Sequence, residues 1–475
     1  MLLDVIIFVL ATIINLIPPI YDRIEKDYGL KNITPISIIV AVYILMAAFF
    51  SVFWGYKIDK INRRRVMYYS LFVAIVGMII CAIAPVFWLF AAGLLIAGFG
   101  YGAQMPATYS ILSDIIPSRY WATFYGNLAV LISVSKVAGN FFSGFLGPLN
   151  IFGMGWQFPF LILIIMAAMS ILSLFFIDLP NRGASAIEVH DKELGDDIRN
   201  GKTVYGYTID RKDFISLSKI KTNQNILLSG FFYVIPGGAI EGFLIYYLID
   251  GPFSGFPPEI RTQTAQLFAM FAGMGYLFGN LFLGPRFDKI RKKSAKGRVK
   301  WITIALGLAV PFIIGGLFCM VPIEYTSLNL PDSFVGRELS VVAYLEIIFA
   351  VFSEYPSYIG YLILLTVGSL FTSPVAINRT PVVLDVNLPE HSGTSQSILN
   401  LSDQVGRGFS YLFLAFQYLI LNWLFVEVQW DVLLIIGILF YIPAVYFWYR
   451  IYQNIENDVE SKHGRLLECI EKMNQ

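Results

Sequence analysis

Gly55-Tyr-Lys57-Ile-Asp59-Lys60-Ile-Asn-Arg63-Arg64-Arg65 joins two long apolar runs, and its reading decides the fold. A short polar turn between two membrane-length helices holds this many cations on the cytoplasmic side. The pattern returns as Gly284-Pro-Arg286-Phe-Asp288-Lys289-Ile-Arg291-Lys292-Lys293, at an offset of 284 − 55 = 229 residues. Glycine, acid, lysine, isoleucine and further cations keep one register. A looser match relates Asp114-Ile-Ile-Pro117 to Asp385-Val-Asn-Leu-Pro389, offset by 385 − 114 = 271. The chain therefore reads as two related halves.

Composition agrees with the membrane reading. Of the 475 residues, 57% are hydrophobic and only 14% charged, where soluble domains carry roughly 25% charged residues. Apolar runs of about 20 residues each read as membrane-spanning helices. Twelve are expected, near 2–20, 36–56, 66–84, 86–112, 121–149 and 158–177, then 226–249, 265–283, 301–321, 358–384, 396–421 and 432–449. The fold class is all-α integral membrane, with two pseudo-symmetric six-helix bundles. A further apolar piece, 341–352, is too short to span and is expected in the interface or over the outer end.

Four segments follow: a bundle over 1–177, a polar loop over 178–224, a second bundle over 225–449, and an amphipathic tail over 450–475. The turns after the third, fifth and eleventh spans lack lysine and arginine, so the basic turns, the loop and both termini are expected in the cytoplasm. The start, Met1-Leu-Leu-Asp4, has no basic n-region or cleavage site and reads as an uncleaved first span. The tail places Ile455, Val459, Leu466 and Leu467 at helical spacing and reads as a solvated surface helix.

Partner classes follow from charge and spacing. A net charge of +1 gives no sign of a nucleic-acid partner, and three scattered histidines and three cysteines give no metal spacing. No nucleotide loop and no nucleophile beside a base is present, so neither a cofactor nor an enzyme is expected. The expected partners are a small-molecule or lipid-like substrate, protons and the bilayer, with the chain a monomer in the cell membrane.

Charges within spans cost ~3 kcal/mol or more each, and so face cavities or partners. Lys136 lies mid-way along the fifth span and Arg407 along the eleventh, and 407 − 136 repeats the 271-residue offset. Such a pair could clamp an anionic head group from both halves; alternatively Arg407 pairs with Asp403, one turn away. Glu241 follows Pro236-Gly-Gly238, a run able to break or bend the seventh span, and suits a proton-coupling carboxylate or a structural partner for the cations. Arg379 lies six residues before Asp385 and could snorkel to the cytoplasmic surface, serving a gate or interface. Gly55 lets a helix approach closely, and Asp59 can face the positive N-terminal end of a neighbouring helix.

Gly-x-x-x-Asp-Lys-x-x-Arg-Arg-Arg resembles the signature loop of the major facilitator superfamily, with its weaker copy in the second half. Gly98-x-Gly100-x-Gly102-x-x-x-Pro106 and Asp114-x-x-Pro117-x-Arg119 resemble that family's fourth span and following turn. Asn62 stands where the family usually has glycine. The resemblance implies an alternating-access transporter whose Asp59 meets the eleventh span and whose basic residues (Arg63, Arg64) reach Asp114, closing the cytoplasmic side. Gly284, Asp288, Lys292 and Asp385 play the mirrored role, with Arg119 and Arg379 nearby. It also implies a cavity lined by spans one, four, seven and ten, so Asn15 and Gln104 become hydrogen-bonding candidates. Val386-Asn-Leu-Pro389-Glu390-His-Ser-Gly393-Thr394 and Asp403-Gln-Val-Gly406-Arg407-Gly408 are similar to the Spinster-like branch, which includes lysophospholipid carriers. That branch tends to carry an acid in the fourth span, where this chain has Tyr101 and Gln104. The other classes to weigh are a drug efflux antiporter and a non-transporting sensor of the same fold.

Overall fold

The quoted turn is a helix boundary built from a cap. Helix α2 (Thr34–Lys60) stops before Asn62, which is extended (φ −60°, ψ 118°) and accepts a 2.9 Å hydrogen bond from the Arg64 N–H. Asn62 thereby caps α3 (Arg63–Ile83), and no glycine is needed, because an N-cap has negative φ and uses its side-chain oxygen. The second half repeats the device. Helix α9 (Pro258–Lys293) runs on past Asp288, and Ser294 caps α10 (Ala295–Phe318) by accepting from the Gly297 N–H at 2.9 Å.

This computed structural model describes residues 12, 16–17, 20–30, 34–141, 154–174, 217–331, 334, 341–423 and 430–474. Asn15, most of the expected first span and the central loop as far as 216 lie outside them. The other helices are α1 (Tyr21–Asp27), α4 (Phe87–Tyr101), α5 (Gln104–Ile115), α6 (Trp121–Phe141), α7 (Phe158–Ser173) and α8 (Lys221–Asp250). They continue with α11 (Val341–Glu354), α12 (Ser357–Val386), α13 (Ser392–Trp423), α14 (Trp430–Leu439) and α15 (Tyr441–Asn474). Helices α4 and α5 form the fourth span, and its glycines carry the packing: a side chain at Gly100 would collide with the backbone of α3 at Ser70 and Ala74. Among the described residues, seven helical stretches are long and apolar enough to cross a membrane.

The buried apolar side chains form two principal cores. One runs from Leu16 to Leu174 and the other from Ile226 to Ile455. Each borrows one residue from the opposite half: Ala122 joins the second core and Leu384 the first. Both lie at the end of the molecule that carries the basic turns. Large apolar side chains such as Phe49, Phe72, Phe282 and Trp301 face outward, as a lipid-facing surface requires.

Two segments differ from expectation. Helix α8 stays unbroken through Pro236-Gly-Gly238. The Ser410 hydroxyl of α13 donates to the Ile235 carbonyl oxygen at 2.8 Å, so a neighbouring helix packs against the backbone beside the proline, whose missing N–H removes the usual donor of the Phe232 carbonyl four residues earlier. The tail is not a separate surface helix. Helix α15 runs unbroken from the last span to Asn474, burying Ile455, Lys462 and Leu466 against the second bundle. Its Asp458 accepts from the Thr222 N–H at 2.8 Å, at the N-terminus of α8. The short segment near 341–352 forms α11, which buries Ile347 and Val351 against the start of α12, away from the basic turns.

Candidate functional site

Two carboxylates tie the halves together at the basic end, and they do so in the same way. Asp59, at the end of α2, accepts from the Gly393 N–H (3.0 Å), the Thr394 N–H (2.6 Å) and the Thr394 hydroxyl (2.7 Å). These donors are the first turn of α13, where backbone N–H groups have no partner within their own helix. Asp288 of α9 accepts from the Ala122 and Thr123 N–H groups, both at 2.9 Å, and from the Thr123 hydroxyl. That is the first turn of α6. Each acid is buried and sits on the positive end of a helix from the other half, a favourable place for negative charge.

The glycines explain how the backbones come so near. A Cβ on Gly55 would lie 2.9 Å from the Gly393 carbonyl oxygen and collide with Ser397, and one on Gly284 would lie 2.6 Å from the Thr123 Cα. The Ser110 and Ser392 hydroxyls meet at 3.0 Å across the same seam. Gly55→Val is therefore expected to hold this end apart. In a Cys81→Ala, Cys319→Ala, Cys469→Ala background, the buried Ser397→Cys thiol should react with maleimide about five- to a hundredfold faster, since overpacking costs ~1–3 kcal/mol. Unchanged labelling would show that the seam is not closed by close packing.

Behind each cap lies a carboxylate within one half. Arg63 pairs with Asp114 of α5 at 2.7 Å and donates to the Ser110 carbonyl oxygen at 2.8 Å. In the second half the register differs from expectation. Lys292 is exposed, and Arg291 is the residue that grips Asp385 with a two-pronged fork, Nε at 3.2 Å and Nη2 at 2.5 Å. Arg298, fully buried on the first turn of α10, reaches the same carboxylate at 2.5 Å. Only arginine offers that planar fork, and the arginines among the lysines of this turn were the available signal. Arg291 also stacks over Trp121 at 5.0 Å, bridging the halves beside Asp288. Arg64 is partly exposed and Arg119 exposed, the latter over the Tyr120 ring. Asn223 of α8 and Asn387 exchange amide hydrogen bonds at 2.8 and 2.9 Å; neither was singled out from sequence.

Above the gate, Arg379 does not snorkel. Its side chain is buried and forms an ion pair with Asp403 of α13, so Asp403 is held from α12. The physical reason lies at Gly230 of α8, where the missing side chain leaves the space that the guanidinium fills. Tyr109 of α5 and Tyr233 of α8 lie within electrostatic reach of this pair, and Arg407 within reach of Tyr101. Gln104, Lys136 and Glu241 are placed by backbone alone, on α5, α6 and α8.

The family model for the Major Facilitator Superfamily matches residues 3–336. The chain belongs to this superfamily. Solved superfamily structures share the fold at low identity. The fucose transporter FucP in its outward conformation aligns over 94% of this chain and 97% of its own, with a TM-score of 0.64 and 14% identity. The human organic anion transporter MFSD10 (TETRAN) aligns over the same shares with a TM-score of 0.56 and 14% identity. Among curated relatives, the class E tetracycline resistance protein of Escherichia coli is 27% identical over 45% of this chain and 49% of its own length. The vacuolar membrane amino acid uptake transporter fnx2 of Schizosaccharomyces pombe is 22% identical over 69% of this chain and 57% of its own. The chain thus spans about half the length of the curated relatives it matches. The family model and these folds place this superfamily member in a multi-pass, twelve-helix membrane architecture, seen here with its basic end closed by the two caps.

Proposed function

We propose that the protein is a secondary active transporter that moves a small organic solute by rocking its two halves about a central site. One observation carries this reading: two mirror-related acids, Asp59 and Asp288, each bind the helix N-terminus of the opposite half through contacts that separation of the halves would break. The basic end is the cytoplasmic end, and both termini lie there. Gly55, Asp59, Arg63, Asp114, Gly284, Asp288, Arg291, Arg298 and Asp385 form the gate. The protein works as a monomer in the cell membrane.

The solute is anionic or amphiphilic, and Lys136 and Arg407 hold its charged head from the two halves. Uptake or export is driven by protons through Glu241, whose place on α8, after Pro236-Gly-Gly238, lies deep in the span. In proteoliposomes, Glu241→Gln is expected to abolish movement driven by a pH gradient and to leave solute exchange intact. Unchanged pH dependence would remove Glu241 from the coupling step. The tetracycline and quinolone resistance proteins among the relatives favour export as a second reading of direction. Accumulation in inside-out vesicles but not in right-side-out ones would decide for export.

A further inference from the structure

Arg379 is a buried cation with more donors than partners. Its side chain is 9% exposed, while that of Asp403 is 34% exposed. Asp403 engages Nη1 alone, and among the described residues Nε and Nη2 have no hydrogen-bond partner. A guanidinium has five N–H donors, and leaving buried ones unmet costs the full desolvation of each. One carboxylate that is a third exposed is a poor match for such a group.

The surroundings describe a ligand. Arg379 comes from α12, Asp403 and Arg407 from α13, and tyrosines of both halves lie within electrostatic reach of them: Tyr109 and Tyr233 of the Arg379 pair and Tyr101 of Arg407. Arg379, Arg407 and Asp403, taken with Lys136 and Glu241 of the proposed site, leave one positive charge. That balance favours a monoanion over a dianion. The flat guanidinium matches a planar carboxylate through parallel N–H···O bonds, and the tyrosines offer an apolar, partly aromatic lining.

We infer that Arg379 is a further anion subsite of the transport pathway beside Lys136 and Arg407, that its ligand is the carboxylate of an apolar or aromatic monoanion, and that Asp403 is the internal carboxylate with which this ligand competes. This deepens the transporter reading and rests on it. In the empty protein Asp403 holds the guanidinium in place, and an arriving carboxylate takes over the donors that Asp403 fills or leaves unmet.

Binding to purified full-length protein tests the assignment apart from flux. The probes are benzoate and octanoate, their uncharged amides, and octyl phosphate, followed by calorimetry and by the shift in melting temperature. The carboxylates are expected to bind and the amides not. Asp403→Asn should tighten carboxylate binding by about tenfold, because the competitor loses its charge, and Arg379→Lys should weaken it by about tenfold, because the fork is lost. Arg379→Gln combined with Asp403→Asn keeps the pair neutral, guards against misfolding, and should abolish binding. Carboxylates and amides binding alike, undiminished binding to the double variant, or an Arg379 dependence confined to octyl phosphate would each overturn the inference. If carboxylates bind through Arg379 yet no solute crosses proteoliposomes, the subsite stands and the transport reading fails.

Discussion

Asp59→Asn combined with Asp288→Asn is expected to open the basic end. Each acid accepts two backbone N–H bonds and a hydroxyl from a helix of the other half. Asparagine keeps an accepting oxygen but loses the charge that the helix N-terminus favours. That loss is about 1–2 kcal/mol per site in a partly buried setting. The two sites sit on different helix pairs, so their effects should nearly add. Together they shift the closed-to-open ratio by about 2–4 kcal/mol, or ~30- to ~1,000-fold. Substrate affinity should change little, because neither acid lies with Lys136, Arg379 or Arg407, while turnover falls because the state closed at the basic end is scarcely reached. A matched fall in affinity and turnover would assign these acids to the binding site.

Asp385→Ala is expected to cost more stability than any single change at the gate. Its carboxylate, 8% exposed, is gripped by Arg291 and by the fully buried Arg298. Lys462 of α15 lies in the same electrostatic neighbourhood. Removing the acid leaves buried cations without a counter-charge, a change worth about 3–5 kcal/mol. The melting temperature in detergent should fall by many degrees, and Arg291→Gln in the same chain should restore part of it. Lys296→Ala provides the contrast. Its bridge to Glu456 joins partners that are 37% and 57% exposed, and exposed pairs are worth at most about 1 kcal/mol. Equal losses for the two variants would mean that the buried cluster is not what holds α9, α10 and α12 together.

Much of this was legible in the sequence, because the signals sit at helix ends. The glycine–acid spacing of 55–59 and 284–288 fixes both the close approach and the capping carboxylate within one turn. The partner helices were legible only through the resemblance: Asp59 and Gly393 are 334 residues apart, and no local pattern joins them. The register failed at Lys292 because Arg291 and Lys292 differ by one helical step, and only packing decides which turns inward. Arg379 was misread for a related reason. The slot at Gly230 and the acid at Asp403 lie on other helices, so the guanidinium turns inward where a lone helix would send it toward water. The tail was legible and underused. Ile455, Val459, Lys462 and Leu466 share one helical face, and a lysine on that face marks a buried cation. The Pro236 run was read as able to break or bend the span because the residue packed against it, Ser410, is far away in the chain.

The most direct test is the distance between the halves at the basic end. Arg119→Cys and Lys292→Cys place labels on exposed residues of opposite halves, in a chain whose Cys81, Cys319 and Cys469 are replaced by alanine. Pulsed electron spin resonance in liposomes should show a short distance for the closed form, alongside a longer one. Asp59→Asn with Asp288→Asn should move most of the population to the longer distance. A single distance, unmoved by the double substitution, would contradict alternating access gated by these two acids.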